Sequence, residues 1–269
     1  MSSAPPVPPA SSRPRTDAAA TVGAAPHLSI IIPAYNEERR LPRTLPRIRD
    51  WVDKRGLHAE VIVVDDASTD GTAAAVYQFR DQFPLLYLLT TGPHNHGKGY
   101  AVRTGMLAAR GRLSLFTDAD LSAPIEEADK LLAALESCEV AMGSRAVDRS
   151  LIEVHQSRRR ELAGIAFNKA VQVVTGLPFV DTQCGFKAFV TERARIIFEQ
   201  QRLEGFGFDP EILFLAKRHG LRIREVPVRW SHDPATKVRV VSDGLGMFAD
   251  LFRIRWHSLR HRYPRTRLS

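Results

Sequence analysis

Two aspartates one residue apart, Asp118 and Asp120, directly follow the apolar run Leu113–Thr117. Their carboxylate oxygens are hard ligands suited to Mg²⁺ or Mn²⁺, and a cation held there can bridge the oxygens of a diphosphate. The same residues also suit a helix N-cap, because Asp120 shortly precedes Pro124 and a helical pattern. The motif alone leaves both interpretations open.

Two further segments carry groups that suit a nucleotide. Asp65 and Asp66 end another apolar run, where a carboxylate can accept hydrogen bonds from a base or a ribose. The Ser-Thr-Asp-Gly turn that follows is equally suited to capping a helix. Lys98 stands between two glycines before a helical pattern, where it can meet a phosphate together with backbone amides. Its spacing is not that of a Walker motif.

Short apolar runs alternate with helical patterns and must position these residues. The runs are Leu28–Ile32, Glu60–Val64, Leu85–Thr90 and Leu113–Thr117, and the helical patterns are Glu37–Trp51, Thr72–Phe83, Lys98–Arg110 and Ile125–Leu135. Spacings of about 25 to 30 residues are typical of βαβ units, so we expect an α/β fold with a mostly parallel central sheet flanked by helices. Pro42 and Pro46 interrupt the first helical pattern. Ligands of such sheets bind at the carboxyl ends of the strands, where both acidic pairs are expected to meet.

The alternation weakens after Met142. A long helix is predicted at Arg158–Thr175, another near Pro210–His219, a strand at Leu221–Val228 and a final helix after Gly244. Residues 1–27 are rich in Pro, Ala and Ser and lack the apolar centre of a signal peptide, which predicts a disordered leader. We therefore divide the chain into this leader, an α/β domain over 28–242, and a basic amphipathic helix and tail over 243–269.

Charge and cysteine content narrow the class of protein. The formal charge of +8 indicates an anionic partner, and two cysteines are too few for a disulfide framework or a four-cysteine zinc site. No apolar run reaches the roughly 18 residues of a membrane-spanning helix. A basic nucleic-acid-binding protein would also explain the charge. The positive residues are not interleaved with aromatic ones as in a single-strand groove, so no nucleic-acid partner is predicted.

Four segments, in their order along the chain, resemble the family 2 glycosyltransferases of the GT-A fold. They are Ile31–Glu38, Val63–Thr72, Asn95–Gly99 and Asp118–Leu121. Gly143-Ser144-Arg145, Asp181–Lys187 and Phe208–Glu211 resemble the branch of dolichyl-phosphate β-glucosyltransferases and bacterial polyprenyl-phosphate glycosyltransferases. The resemblance spans about residues 28–255.

The resemblance implies metal-dependent transfer of a hexose, glucose from UDP-glucose being favoured, to a polyprenyl or dolichyl phosphate with inversion. Pro33, Tyr35, Glu37, Asp66 and Lys98 would bind the nucleotide, with Asp66 on the base; Asp118 would contact ribose or metal, and Asp120 would ligate Mg²⁺ or Mn²⁺. Mannosyl-transferring relatives often carry Gln where Ser122 stands, which leaves the third metal contact open. A GDP-mannose donor and a soluble or glycan acceptor remain alternatives.

The acceptor implied by the resemblance is a phosphate monoester, whose second pKa of about 6 leaves it largely ionised, so a strong base is not required. Cations must hold it instead. We predict this role for Arg145, Lys187, Lys237 and Arg239, with Asp181 as an orienting carboxylate or base. Each cation has an alternative role as a solvated surface charge, and Asp181 has one as a turn cap.

The C-terminal segment combines apolar and basic residues at helical spacing. The apolar residues are Leu245, Phe248, Leu251, Phe252, Trp256 and Leu259, and the basic ones are Arg253, Arg255, Arg260, Arg262, Arg265 and Arg267. This pattern is typical of a helix lying in a membrane interface. We therefore predict a cytoplasmic protein, peripheral on the cytoplasmic face of a membrane. Packing of the apolar stripe on the domain is the alternative.

Overall fold

A computed structural model describes residues 25–232 and 240–264. Within these residues, seven strands form a central sheet in the order β3-β2-β1-β4-β7-β5-β8. They are β1 (Leu28–Ala34), β2 (Ala59–Asp65), β3 (Leu86–Thr90), β4 (Leu113–Thr117), β5 (Val140–Ser144), β7 (Phe186–Val190) and β8 (Ile223–Pro227); β6 (Ile152–Val154) pairs separately with β9 (Trp230–Ser231). The mostly parallel sheet predicted from the sequence is confirmed.

Helices cover both faces of the sheet. They are α1 (Leu41–Lys54), α2 (Thr72–Phe79), α3 (Lys98–Ala108), α4 (Ala128–Ala134), α5 (Arg158–Thr175), α6 (Thr191–Gln200), α7 (Phe208–Arg218) and α8 (Val240–Leu259). One buried cluster lies on the side of α1, α2 and α4, and the other on the side of α3, α5, α6, α7 and α8. The chain thus forms a helix–sheet–helix sandwich with a core on each face of the sheet.

The two prolines do not interrupt α1, contrary to the expectation from the sequence. Pro42 lies in the first turn, where its missing N–H has no intrahelical partner to lose. Pro46 lies inside the helix and does remove one hydrogen bond. A buried face that includes Leu45, Ile48 and Trp51 packs on the sheet and outweighs that loss.

Strand β7 is one of the elements that the sequence did not indicate, and it brings the site together. It runs antiparallel between β4 and β5, with Thr117 opposite Phe186. The end of β4 therefore lies beside the start of β7. As a result, the loop before Phe186 lies next to Asp118.

The C-terminal segment packs on the domain. Tyr263 is fully buried, and its hydroxyl donates a hydrogen bond to the Glu211 carboxylate at 2.5 Å. The carbonyls of Arg262, Tyr263 and Pro264 accept hydrogen bonds from Arg202, Arg218 and Gln200. Helix α8 begins at Val240, ahead of the boundary predicted at residue 243. None of the helices in the described part of the chain has the length and hydropathy that a membrane span requires. Residues 1–24, the side chain of Leu245 and the predicted cations Arg265 and Arg267 lie outside the described residues.

Candidate active site

The carboxyl ends of β1, β2 and β4 form one edge of the sheet because these strands pair in parallel. Each strand is followed by a residue in the left-handed region: Asn36 (φ 55°), Ala67 (φ 61°) and Leu121 (φ 48°). Only one other non-glycine residue of the described chain has a positive φ. Such strained turns cluster at functional sites, and this edge is where the sequence analysis places the ligand.

The predicted nucleotide residues of the first strand reach this edge. Pro33 is half-buried beside Val64, and Tyr35 is 40% exposed. Glu37 is buried, and its carboxylate accepts hydrogen bonds from the guanidinium of Arg40. Of these three residues, Tyr35 offers the most accessible side chain to a ligand.

Asp66 holds a loop. Its carboxylate accepts hydrogen bonds from the Thr91 hydroxyl (2.6 Å) and from the backbone amides of His96 (3.1 Å) and Gly97 (2.6 Å). Only 2% of the residue is exposed. The base contact predicted for Asp66 therefore disagrees with the geometry, in which the carboxylate positions the loop that leads to Lys98.

Lys98 and Asp118 form an ion pair in the cleft, with 2.5 Å between Nζ and Oδ1. Burial lowers the pKa of Lys98, but the carboxylates of Asp118 and Asp209 more than offset it, and the net shift is upward. Lys98 is the first residue of α3, where the positive end of the helix dipole adds to its charge. The pair places a fixed cation beside the acidic motif.

Asp118 and Asp120 have the charge and the room for a divalent cation. Burial and the nearby charge of Asp118 raise the pKa of Asp120, a repulsion that a shared cation would relieve. A Cβ at Gly185 would overlap the Asp118 carboxylate, so this carboxylate can keep its position only if residue 185 is glycine. Among the described residues, no three acidic, His or Cys side chains are grouped so that they could hold a metal ion, and a cation here would draw its other ligands from a diphosphate and water.

The helix-cap interpretation of the acidic motif does not hold. Asp120 accepts the backbone N–H of Ser122 at 2.9 Å, which closes a local turn. The short helix after Pro124 has no side-chain cap. Asp120 therefore shapes the loop and does not cap a helix.

Arg145 is held rigidly at the cleft. Its Nε and Nη2 donate to the two carboxylate oxygens of Asp181 at 2.7 Å each, and its backbone N–H donates to the same carboxylate at 2.9 Å. The guanidinium lies over the Trp230 ring, 5.4 Å from the centroid. Burial alone would raise the pKa of Asp181, but Arg145 holds it below its usual range. Asp181 is therefore suited to orienting Arg145 and poorly suited to accepting a proton.

Lys187, predicted to bind the acceptor phosphate, is completely buried. Its ammonium donates to the Cys184 carbonyl at 2.6 Å and to Asp209 at 2.5 Å, and it lies over the Phe116 ring. Lys187 lies in β7, between β4 and β5, and its side chain is enclosed by these core groups. The direct contact predicted between Lys187 and the acceptor phosphate is therefore wrong for this structure. Lys237 and Arg239 lie outside the described residues.

The cleft has a volume of about 320 Å³ and is lined by both charged and apolar side chains. Lys98, Asp118, Asp120 and Arg145 are among the charged ones, and Phe167, Trp230, Met247 and Phe248 are among the apolar ones. A cavity of about 110 Å³ adjoins it and shares Arg145 and Trp230. Such a cleft can bind a molecule that is anionic at one end and apolar at the other.

Sequence reasoning missed several lining residues. Gln156, Arg160, Phe167 and Trp230 line the cleft but stand in no motif that was singled out. The basic run at Arg158–Arg160, at the start of a long helix, is the signal by which Arg160 could have been found. Nothing local marks Trp230, whose place depends on the pairing of β9 with β6.

Known proteins share sequence similarity with most of this chain. The family described as "Glycosyl transferase family 2" matches residues 29–189. The chain is 34% identical over 240 residues to dolichyl-phosphate beta-glucosyltransferase ALG5D of Trichomonas vaginalis, covering 85% of this chain and 72% of that protein. The dolichyl-phosphate beta-glucosyltransferases of Saccharomyces cerevisiae and Homo sapiens are 34% and 32% identical, each over 85% of this chain and 74% of the relative.

Solved structures share the fold. The crystal structure of Mycobacterium tuberculosis glucosyl-3-phosphoglycerate synthase matches with a TM-score of 0.62 at 20% identity, covering 85% of this chain and 80% of that chain. The complex of that enzyme with Mn²⁺, UDP and glucosyl-3-phosphoglycerate matches with a TM-score of 0.60 at 19% identity, covering 90% and 81%. The predicted GT-A fold is confirmed.

Proposed function

Because the chain belongs to glycosyltransferase family 2, we propose that it transfers glucose from UDP-glucose to the phosphate of a polyprenyl or dolichyl lipid, with inversion. The observation that carries the proposal is that one cleft brings the acidic motif and a fixed arginine together with aromatic side chains. A nucleotide sugar needs the charged groups, and a lipid phosphate needs both the charged and the apolar ones. The names of the relatives support the glucosyl donor and the lipid acceptor.

On the donor side, Asp118 and Asp120 would hold Mg²⁺ or Mn²⁺, which would supply positive charge to neutralise the diphosphate. Lys98 adds a fixed positive charge beside Asp118. Pro33 and Tyr35 line the place for the base at the end of β1, and Asp66 fixes the loop that carries Lys98.

On the acceptor side, Arg145 binds the phosphate of the lipid. A phosphate oxygen attacks the anomeric carbon, the bond from that carbon to the diphosphate breaks, and UDP leaves. The acceptor arrives largely ionised, so the protein has to position it and does not need to deprotonate it. Asp181 therefore acts as the group that orients Arg145, and Lys237 and Arg239 remain further candidates for the same phosphate.

Helix α8, which contributes Met247 and Phe248 to the cleft, offers a surface for peripheral membrane contact, which we propose for the cytoplasmic face. Helix α8 packs on the domain through Leu251 and Ile254, and a second stripe remains exposed. That stripe consists of Phe248, Phe252, Trp256 and Leu259. Arginines of the same helix flank it, and each contributes about 1 kcal/mol of attraction to anionic lipid. Because Phe248 belongs to both the stripe and the cleft, the isoprenoid chain can pass from the membrane to Arg145.

The reaction is tested by supplying the purified protein with UDP-glucose or GDP-mannose, a short polyprenyl phosphate and Mn²⁺. We expect a glucosylated lipid, identified by mass after extraction into organic solvent. A mannosylated lipid would reassign the donor. A sugar product that stays in the aqueous phase with a soluble acceptor would overturn the lipid assignment.

The membrane contact is tested by cosedimentation with anionic liposomes. Replacing Phe252 and Trp256 by serine should weaken binding, because it removes two exposed aromatic residues from the stripe. Tyr77→Ser is the matched control, since Tyr77 is also exposed but lies on α2, over the opposite face of the sheet. Equal binding by all variants would contradict the proposed surface.

A further inference from the structure

Glu225, on the edge strand β8, joins two loops that meet at the cleft. Its Oε1 accepts hydrogen bonds from the Ser144 hydroxyl and from the backbone N–H of Asp181, both at 2.8 Å. Its Oε2 accepts the backbone N–H of Val180 at 3.1 Å. One half-buried carboxylate thus ties the end of β5 to the loop that carries Asp181.

Both loops hold Arg145. The Asp181 carboxylate takes three hydrogen bonds from Arg145. On the other side, the Ser144 hydroxyl accepts the backbone amides of Ala146 and Val147 at 3.3 Å each, which fixes the turn that begins at Arg145. Glu225 therefore lies behind both supports of the guanidinium, and it does not itself line the cleft.

We propose that Glu225 is a positioning residue, which sets the direction of the Arg145 guanidinium through Ser144 and the 180–181 backbone. The inference rests on the proposed function only for the identity of the anion that Arg145 meets. A bidentate cation must be held within about 0.5 Å of its productive place, and its supports decide whether it is. The anionic form of Glu225 suits the role, because all three of its partners are donors.

The variants separate this role from a general structural one. Glu225→Ala removes all three acceptor contacts, whereas Glu225→Gln keeps one oxygen and loses the other acceptor. Glu139→Ala is the matched control: Glu139 accepts the backbone N–H and guanidinium of Arg222 ahead of β8, at the opposite end of the β5–β8 pair. Glu139 does not line the cleft either.

Steady-state kinetics on the full chain provide the first test. We expect Glu225→Ala to raise KM for a short polyprenyl phosphate on the order of 10- to 100-fold, with Glu225→Gln in between. Glu139→Ala and Glu225→Gln should each have a UDP affinity and a Tm close to those of the wild type. An equal loss of UDP affinity in Glu225→Gln would overturn the inference, because the effect would then not be confined to Arg145.

A double variant provides the decisive test. If Glu225 acts through Arg145, adding Glu225→Ala to Arg145→Ala should change KM little further; independent, additive losses would overturn the inference. Binding of a short isoprenyl phosphate, measured by calorimetry without a donor, keeps the test separate from the reaction. A wild type that binds this phosphate but transfers no glucose would count against the proposed function, while the contrast between Glu225 and Glu139 would still be readable.

Discussion

Two cation–aspartate pairs lie at opposite ends of the segment 181–187, and the cation of only one of them lines the cleft. The Arg145 side chain is 27% exposed at the cleft while it pairs with Asp181. The Lys187 side chain is 0% exposed and pairs with Asp209 beneath it. The two pairs thus have nearly the same pairing distance, and they differ in whether one face of the cation reaches the cleft.

The buried pair of Lys187 and Asp209 is linked to the cleft. Asp209 lies in the first turn of α7 and also interacts electrostatically with Lys98, so Lys187 and Lys98 share one carboxylate between the core and the cleft. Burial raises the pKa of Asp209 despite both ammonium groups. Lys187 therefore contributes to the charge balance of Asp209 and Lys98 at the cleft.

The largest expected effect is on stability. Lys187→Met leaves Asp209 buried without its closest partner, and such changes typically cost about 3–5 kcal/mol of unfolding free energy. Denaturant-induced unfolding measures it. Adding Asp209→Asn should restore much of the loss, because the stranded charge is gone. If Lys187→Met keeps its stability and loses only acceptor binding, Lys187 reaches the phosphate after all.

The next effect is on turnover without a matching loss of stability. Asp118→Asn and Asp120→Asn should each lower glucosyl transfer by at least about 100-fold, because each removes charge from the metal-binding edge. EDTA should act on the wild type in the same way. Tm should fall little, since both residues lie in the loop after β4. Transfer that survives both EDTA and the substitutions would show that the pair only shapes the loop.

A third effect concerns a buried carboxylate that lacks a lysine partner. Burial raises the pKa of Glu211 to about 7, although hydrogen bonds from Tyr263 and the amides of Leu203 and Arg202 oppose the shift. Between the unfolded value of 4.5 and about 7, the folded protein binds more protons than the unfolded one, so this group makes the unfolding free energy fall as pH rises. The slope is at most about 1.4 kcal/mol per pH unit.

Glu211→Gln should flatten that part of the pH profile. The wild-type and Glu211→Gln proteins are compared by denaturant unfolding at several pH values between 4.5 and 8, so that contributions from other groups cancel in the difference. The difference should change across the window and level off above about pH 7. A difference that does not vary with pH would mean that Glu211 is ionised in the folded protein throughout.

The contrast between the two pairs also marks what the sequence can predict. Strands β1, β2 and β4 and the place of Asp118 and Asp120 follow from local periodicity and from the rule for parallel sheets. The burial of Lys187 depends on β7 inserting antiparallel between β4 and β5, which is a long-range pairing. The burial of Tyr263 depends in the same way on contacts with α7 that are distant along the chain. Neither has a local signal.

The smallest expected effect tests whether burial, and not pairing as such, sets the importance of an ion pair. Arg222 and Glu139 form a bidentate pair with 2.6 Å at its closest, as close as the pairs in the cleft, but the Arg222 side chain is 66% exposed. Water screens such a pair, so Glu139→Ala should cost less than about 1 kcal/mol of unfolding free energy, and added salt should reduce that cost further. The comparison with Lys187→Met holds pairing distance nearly constant and changes exposure. A loss from Glu139→Ala as large as that from Lys187→Met would show that the geometry of pairing carries the stability, and the distinction between the cleft pair and the buried pair would then need another cause.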